Sequence, residues 1–294
     1  MSNKNKIPKL VYGCKWVFFG TTQFSVIALD ELKVAGFLPT LIITVEDKPK
    51  GRGLVMTPPE VKLWADKENI PCIQPKTLKS KEIVEKIKSY CPTGFDFFVV
   101  FSYGKIIPKD ILDIPRCGAL NIHPSLLPKL RGPSPVKSAI LKENETGVTI
   151  LQVDEEMDHG PILAQKKVPM PEWPPYESDL ENRLSHEGGK LLAEILPDFI
   201  TGKIKAVEQN HSKASFCQKI QKTEALLDMK DTPESNLRKI RAYHIWPGSY
   251  FFDDKKRVVV KRAHIENGEL VLDRVIPEGK KEMSYKDYMN GKRS

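Results

Sequence analysis

Apolar residues fall along this chain in short continuous runs separated by stretches of helical period. Residues 15–19 (KWVFF) form a β-rich run that ends at Gly20-Thr21-Thr22, and residues 24–34 then repeat apolar positions at the spacing of an amphipathic helix. That is a β-loop-α opening. Further strands are expected at 41–45 (LIITV) and 95–101 (FDFFVVF), with helices at 59–68 and 80–89 between them. Apolar strands alternating with helices imply an α/β domain whose mostly parallel sheet is covered on both faces. Residues 117–123 (CGALNIH) and 146–153 (TGVTILQV) continue the sheet, and 176–200 supplies a long closing helix.

The pattern changes near residue 205. A first domain over 15–205, behind a 1–14 extension, gives way to a polar, weakly patterned stretch at 206–215 that reads as a linker. A second domain, 216–294, opens with helical period at 232–242. Residues 256–263 and 269–275 then read as strands of a small β-structure, joined by a turn at Asn267-Gly268, the dipeptide that tolerates the left-handed backbone of a tight hairpin. No internal repeat or low-complexity segment interrupts this organisation.

With 294 residues, 40% of them hydrophobic and 29% charged, the chain suffices for one large domain and one small one. Its net charge of +8 is unevenly spread. From residue 209 to the end there are 18 Lys and Arg against 12 Asp and Glu, a net of +6, leaving +2 for the first 208 residues. A basic module beside a near-neutral one suits an enzyme acting on a polyanion such as RNA, although a basic domain that merely stays soluble has the same composition. No apolar run approaches the roughly 20 residues of a membrane-spanning helix, and the Lys-rich residues 1–10 lack the apolar core of a secretory signal. A cytoplasmic monomer with no membrane partner is expected. The five cysteines are scattered without a CxxC pair, which suggests reduced, mostly buried thiols and neither a disulfide framework nor a zinc site.

Candidate chemistry concentrates in two places. Asn121 and His123 lie two apart at the C-terminal end of an expected strand, so their side chains share a face, at the edge where open α/β sheets bind ligands. After the next strand comes a loop dense in carboxylates, residues 154–159, closed by Gly160-Pro161 and containing Asp158. Singly, His123 is a satisfied structural histidine, Asn121 a turn residue and Asp158 a solvated acid. On adjacent loops at one sheet edge they become an acid–base and oxyanion site. The loop at Gly20-Thr21-Thr22-Gln23-Phe24 is not GxGxxG, which disfavours a nicotinamide cofactor and leaves a plain tight turn as its simplest reading.

Asn121, His123, the run Ser125-Leu126-Leu127-Pro128 and the later Asp158-His159-Gly160-Pro161 resemble the signature of the 10-formyltetrahydrofolate-dependent formyltransferases. Within that family, residues 47–53 (DKPKGRG) with Pro58, Val61 and Lys62 are similar to the basic insertion loop of the methionyl-tRNA formyltransferases. Arg241-Ala242, Trp246-Pro247-Gly248 and residues 277–284 resemble the C-terminal domain of the same subfamily, so the likeness runs from about 15 to 291.

The resemblance implies a doubly wound, Rossmann-like N-terminal domain and a small OB-like C-terminal barrel that binds tRNA. It also implies Asn121, His123 and Asp158 as the catalytic set, with no metal. 10-Formyltetrahydrofolate, the formyl donor, would lie against Tyr103, Ile106 and Ile107, against Ser125, Leu126, Leu127 and Pro128, and along the backbone from Val153 and Asp154 to Asp158. The loop bearing Lys48, Lys50 and Arg52 would reach the acceptor end of an initiator methionyl-tRNA. The chemistry suits these groups. An amine attacking the formyl carbon drives negative charge onto the formyl oxygen of a tetrahedral intermediate, and donors from Asn121 and His123 would each contribute about 3 kcal/mol in a dry site. Asp158 would hold His123 in its charged form and, through water, help move the proton to N10 of the folate.

Two departures stand out. Thr21-Thr22-Gln23 replaces the Thr-Pro-Asp or Thr-Pro-Glu usual in the subfamily. Only about two strands and one hairpin are expected between Pro247 and Pro277, too few for a five-stranded barrel at about 5–6 residues per strand, so a shortened barrel is expected. Lys255, Lys256, Arg257, Lys261 and Arg262 remain phosphate-binding candidates, or protective charges on an edge strand. A formyltransferase acting on an amino sugar nucleotide would keep the three polar residues but not need the basic loop, and a non-catalytic RNA-binding relative would not need the three.

Overall fold

A computed structural model describes residues 13–51 and 53–293; Arg52 lies outside the described residues. The elements follow in the order β1 (Trp16–Gly20), α1 (Gln23–Val34), β2 (Leu41–Ile43), β3 (Lys48–Lys50), β4 (Val55–Thr57), α2 (Glu60–Lys67), β5 (Cys72–Ile73), α3 (Lys81–Ser89), β6 (Phe97–Phe101), α4 (Lys109–Leu112), β7 (Ala119–His123), α5 (Pro135–Lys142), β8 (Gly147–Gln152), β9 (Ile162–Lys167), α6 (Glu177–Ile200), α7 (Pro233–Ala242), β10 (Tyr250–Asp253), β11 (Lys256–Glu266), β12 (Glu269–Pro277), β13 (Met283–Ser284) and α8 (Tyr285–Arg293).

They form two units. The first takes the described residues up to Arg131, with Gly147–Val168 and Asn182–Ser215; the second takes Gly132–Thr146, Pro169–Glu181 and the chain from Phe216. In the first, a seven-stranded sheet runs in the order β5-β2-β1-β6-β7-β8-β9. Pairing is parallel from β5 through β7 and antiparallel from β7 to β9. Strand order reverses between β1 and β6, the position at which doubly wound sheets open a crevice beyond their carboxyl ends. The inner strands are buried on both faces, which explains their unbroken apolar runs. Val17, Phe19, Leu41, Ile43 and Phe98 pack with Ile83 and Ile87 of α3, while Trp16 stacks on Phe97 with ring centroids 5.4 Å apart.

The polar stretch 206–215 is not free chain. Val207 exchanges two backbone hydrogen bonds of 2.8 Å with Ile162, and Gln209 is only 5% exposed. Most of the stretch faces solvent, but Gln209 is turned inward among polar partners.

The second unit carries an antiparallel sheet ordered β10-β11-β12-β13. Asn267 and Gly268 turn β11 into β12 with φ of 51° and 83°, the left-handed pair that a two-residue hairpin requires. Thr232 caps α7 by accepting from the Ser235 amide at 3.2 Å, and α7 sets Leu237 and Ile240 among Val258, Val260, Ala263 and Val275. Three strands lie between Pro247 and Pro277 where two were expected, and β13 adds a fourth. The sheet stays open, since β10 and β13 each have one strand neighbour among the described residues. Arg238 of α7 donates to the Ile140 and Glu143 carbonyls at the C-terminal end of α5 (2.9 and 2.7 Å), where a cation offsets the helix dipole.

Candidate active site

Period-2 alternation in β7 sends Leu120 and Ile122 to one face and Asn121 and His123 to the other. Because β8 runs antiparallel to β7, its last residue, Gln152, stands opposite Leu120 near the start of β7. The acidic loop therefore leaves from the opposite edge to the one expected. A bond from the Gln152 amide to the Pro161 carbonyl (2.9 Å) closes its base, and the loop reaches back to deliver Asp158.

There the three polar groups meet. The Asn121 amide donates to Asp158 Oδ1 at 3.2 Å, and His123 Nδ1 lies 3.5 Å from the same oxygen. His123 Nε2 stands 3.0 Å from the Leu130 carbonyl. A carbonyl only accepts, so Nε2 carries its hydrogen there and Nδ1 is the nitrogen turned toward Asp158. Leu130 itself adopts φ of 61°, a left-handed conformation rare for a leucine, held by the Ser215 hydroxyl accepting from its amide at 2.9 Å. Asp158 is also left-handed, with φ of 54°.

Next to this set lies a polar network, buried at Gln209 and Arg131, that sequence reasoning missed. Gln209 Nε2 donates to the carbonyls of Asp158 and Gly160 at 2.9 and 2.7 Å. Its Oε1 accepts from Arg131 Nε and Nη2 at 3.2 and 2.7 Å. Arg131 Nη2 also donates to His211 Nδ1 at 2.9 Å, and the His211 ring stacks on His159 at 4.2 Å. His159 in turn pairs with Asp154 at 2.7 Å. Nothing in the spacing of 206–215 signals this. The one available clue is Arg131, a charge three residues after the Leu126-Leu127-Pro128 run.

The other expected contacts divide by exposure. Ile106 is 82% exposed and Ile107 half-buried, so both present apolar surface. The Tyr103 ring packs edge-on against Phe19 in the core, burial pushes its hydroxyl up to about 12, and its backbone carbonyl accepts from the Thr21 hydroxyl at 3.0 Å. Ser125 is fully buried and its hydroxyl donates to the Lys129 carbonyl at 2.7 Å. Thr149 fixes the rest of that run, donating to the Ser125 carbonyl (2.7 Å) and accepting from the Leu127 amide (3.2 Å). Leu127 is buried, while Leu126 and Pro128 are half-buried. The Val153 amide donates to the Ala119 carbonyl at 2.8 Å.

Lys48 and Lys50 are exposed on β3, in a two-stranded hairpin with β4; Lys50 pairs with Glu60 at 3.2 Å. In the second unit Lys255 and Lys256 are exposed, whereas the Arg257 guanidinium lies over the Tyr250 ring at 4.1 Å. In the first loop Gln23 is exposed and the Thr22 hydroxyl donates to that of Ser102 at 3.2 Å. Among the described residues there is no cluster of three His, Cys, Asp or Glu spaced to hold a metal ion, and no helix long and apolar enough to cross a membrane.

Comparison with known proteins identifies the family. Residues 14–196 match the family model described as formyl transferase, and 219–270 match its C-terminal domain. A methionyl-tRNA formyltransferase from a Geobacillus species is 39% identical over 237 residues, covering 80% of this chain and 73% of that protein. One from Dictyoglomus turgidum is 37% identical over 308 residues, covering 94% of this chain and 96% of that protein. The solved methionyl-tRNA formyltransferase from Clostridium thermocellum superposes with a TM-score of 0.61 at 17% identity, covering 90% and 98% of the two chains, which speaks to the fold. This chain belongs to the methionyl-tRNA formyltransferase family of formyl transferases.

Proposed function

We propose that this protein transfers the formyl group of 10-formyltetrahydrofolate to the amino group of methionyl-initiator tRNA, a step of translation initiation. The observation that carries the proposal is the convergence of Asn121 and His123 on one oxygen of Asp158, in a chain whose relatives bear that enzyme's name.

The residues suit a formylated folate. A carbonyl oxygen entering beside Asn121 Nδ2 would find an amide donor already aimed, with the His123 ring close by. Exposed Ile106 and half-buried Ile107, Leu126 and Pro128 offer apolar surface for a flat heteroaromatic ring. The backbone from Val153 to Asp158 supplies polar edges.

In the reaction, Asn121 and His123 donate to the formyl oxygen as it gains negative charge in the tetrahedral intermediate, and preorganisation of both donors lowers that barrier. Asp158, through water, accepts the proton that the attacking amine loses and returns it to the leaving nitrogen. No step calls for a metal. The exposed Lys48 and Lys50, with Arg52, are read as contacts to the acceptor end of the tRNA, and Lys256 with Arg257 as contacts further along the polyanion. On this reading the enzyme works as a cytoplasmic monomer.

Incubation of the full chain with 10-formyltetrahydrofolate and methionylated initiator tRNA tests the proposal. Formylmethionyl-tRNA is the expected product; turnover of an amino sugar nucleotide in its place would overturn it.

A further inference from the structure

We propose that Gln209 is a positioning residue of the formyl-transfer site, fixing Asp158 against Asn121 and His123, with Arg131 orienting Gln209 and Ser215 doing the same service for His123. The inference rests on the reading of Asn121, His123 and Asp158 as the catalytic set.

Asp158 sits in a loop whose base is closed by the Gln152–Pro161 bond, and its left-handed backbone is one that a non-glycine residue leaves unless held. Gln209 supplies the hold. Its two amide hydrogens go to the Asp158 and Gly160 carbonyls, which bracket the turn, and its oxygen takes two bonds from Arg131. Carbonyls only accept and guanidinium groups only donate, so the amide can point one way only. All four of its hydrogen-bonding positions are filled and it is buried. Gln209 has no group left for a substrate, so it acts through Asp158.

The same segment steadies the histidine. Ser215 accepts from the Leu130 amide with its hydroxyl, and its carbonyl accepts from the Arg131 amide at 2.9 Å. Leu130 then presents its carbonyl to His123 Nε2, which turns Nδ1 toward Asp158. One ten-residue stretch thus anchors both the acid and the imidazole. Gln152, Asp154 and His159 hold the loop at other points.

The test is a double-substitution cycle in the full chain, with steady-state kinetics on 10-formyltetrahydrofolate and methionyl-tRNA. Gln209→Leu is expected to lower kcat by about 10- to 100-fold with both KM values within about threefold of wild type; added to Asp158→Ala it costs less than about threefold more. Losses that multiply in the Asp158→Ala background, or an unchanged kcat in Gln209→Leu, overturn the positioning role. Gln209→Glu, which sets a carboxylate oxygen against two carbonyls, is expected to behave like Gln209→Leu. If Gln209→Leu does not fold, Ser215→Ala paired with His123→Ala carries the same cycle. A crystal structure of Gln209→Leu gives a readout independent of activity: an Asp158–Asn121 bond kept at its original length sinks the inference. Wild-type activity in Asp158→Ala instead sinks the catalytic reading beneath it.

Discussion

Asn121 and Asp158 are 37 positions apart in the chain, yet the amide of one donates to the carboxylate of the other at 3.2 Å. Sheet topology makes the meeting possible: β7 presents Asn121 mid-strand, and the loop after an antiparallel neighbour folds back to it. His123 Nδ1 stands 3.5 Å from the same oxygen.

Alanine at Asn121, His123 or Asp158 is therefore expected to lower turnover by about a hundredfold or more while the fold survives. Single-turnover rates with circular dichroism on each variant check this. Activity retained in all three would remove the mechanism.

Gly160 tests the loop that carries Asp158. A Cβ there would stand 2.0 Å from the Gln152 carbonyl oxygen, a backbone atom that cannot step aside without moving β8 or the loop. Gly160→Ala should lower both the melting temperature and the turnover, the latter by at least about tenfold, as expected when a positioned acid is displaced. A variant equal to wild type in both would show that the loop has slack that the geometry denies.

Lys48 and Lys50 test the tRNA reading. Replacing both with alanine should raise the KM for tRNA and leave that for the folate unchanged, because a side chain touching only a polyanion affects only that substrate. The slope of log affinity against log salt should also shrink by about one for each phosphate no longer neutralised. Equal changes in both KM values would count against the hairpin as a tRNA contact.

Stability should depend on pH through the second unit. Glu181 of α6 is raised from its usual 4.5 to about 7 by burial first and by neighbouring Glu177 second, with Lys137 opposing. Glu177 is itself raised by burial while paired with Lys137 and bonded by the Ile245 amide at 3.0 Å. Folding thus favours protonated Glu181. Its contribution is present below pH 4.5 and lost as pH climbs through about 7. Glu181→Gln should stabilise the protein above pH 7 by no more than about 3 kcal/mol and make no difference near pH 4.5. Denaturant melts at the two pH values decide it; a gain that does not change with pH would contradict the assignment.

The parallel strands were legible because they are buried on both faces, so their apolar runs are unbroken and long enough to stand out. β5 has two residues, too few for any period. The hairpin of β3 and β4 is exposed and begins Lys-Pro-Lys, which reads as loop. β10 alternates poorly because Phe252 faces outward. At the site, Asn121 and His123 announced themselves by sharing a strand face, and Asp158 by the motif around it. Gln209 did not. It is polar in a polar run, and only its burial separates it from solvated chain; burial of that kind is created by tertiary structure and leaves no periodic trace.

The most direct test of the central claim is the behaviour of the catalytic set under turnover: formyl transfer from 10-formyltetrahydrofolate to methionyl-initiator tRNA, measured for wild type and for Asn121→Ala, His123→Ala and Asp158→Ala in single and paired combinations. Wild type is expected to yield formylmethionyl-tRNA, and the pairs to lose barely more than the singles, since the three act as one unit. Independent, multiplying losses, or no formylated tRNA from wild type, would contradict it.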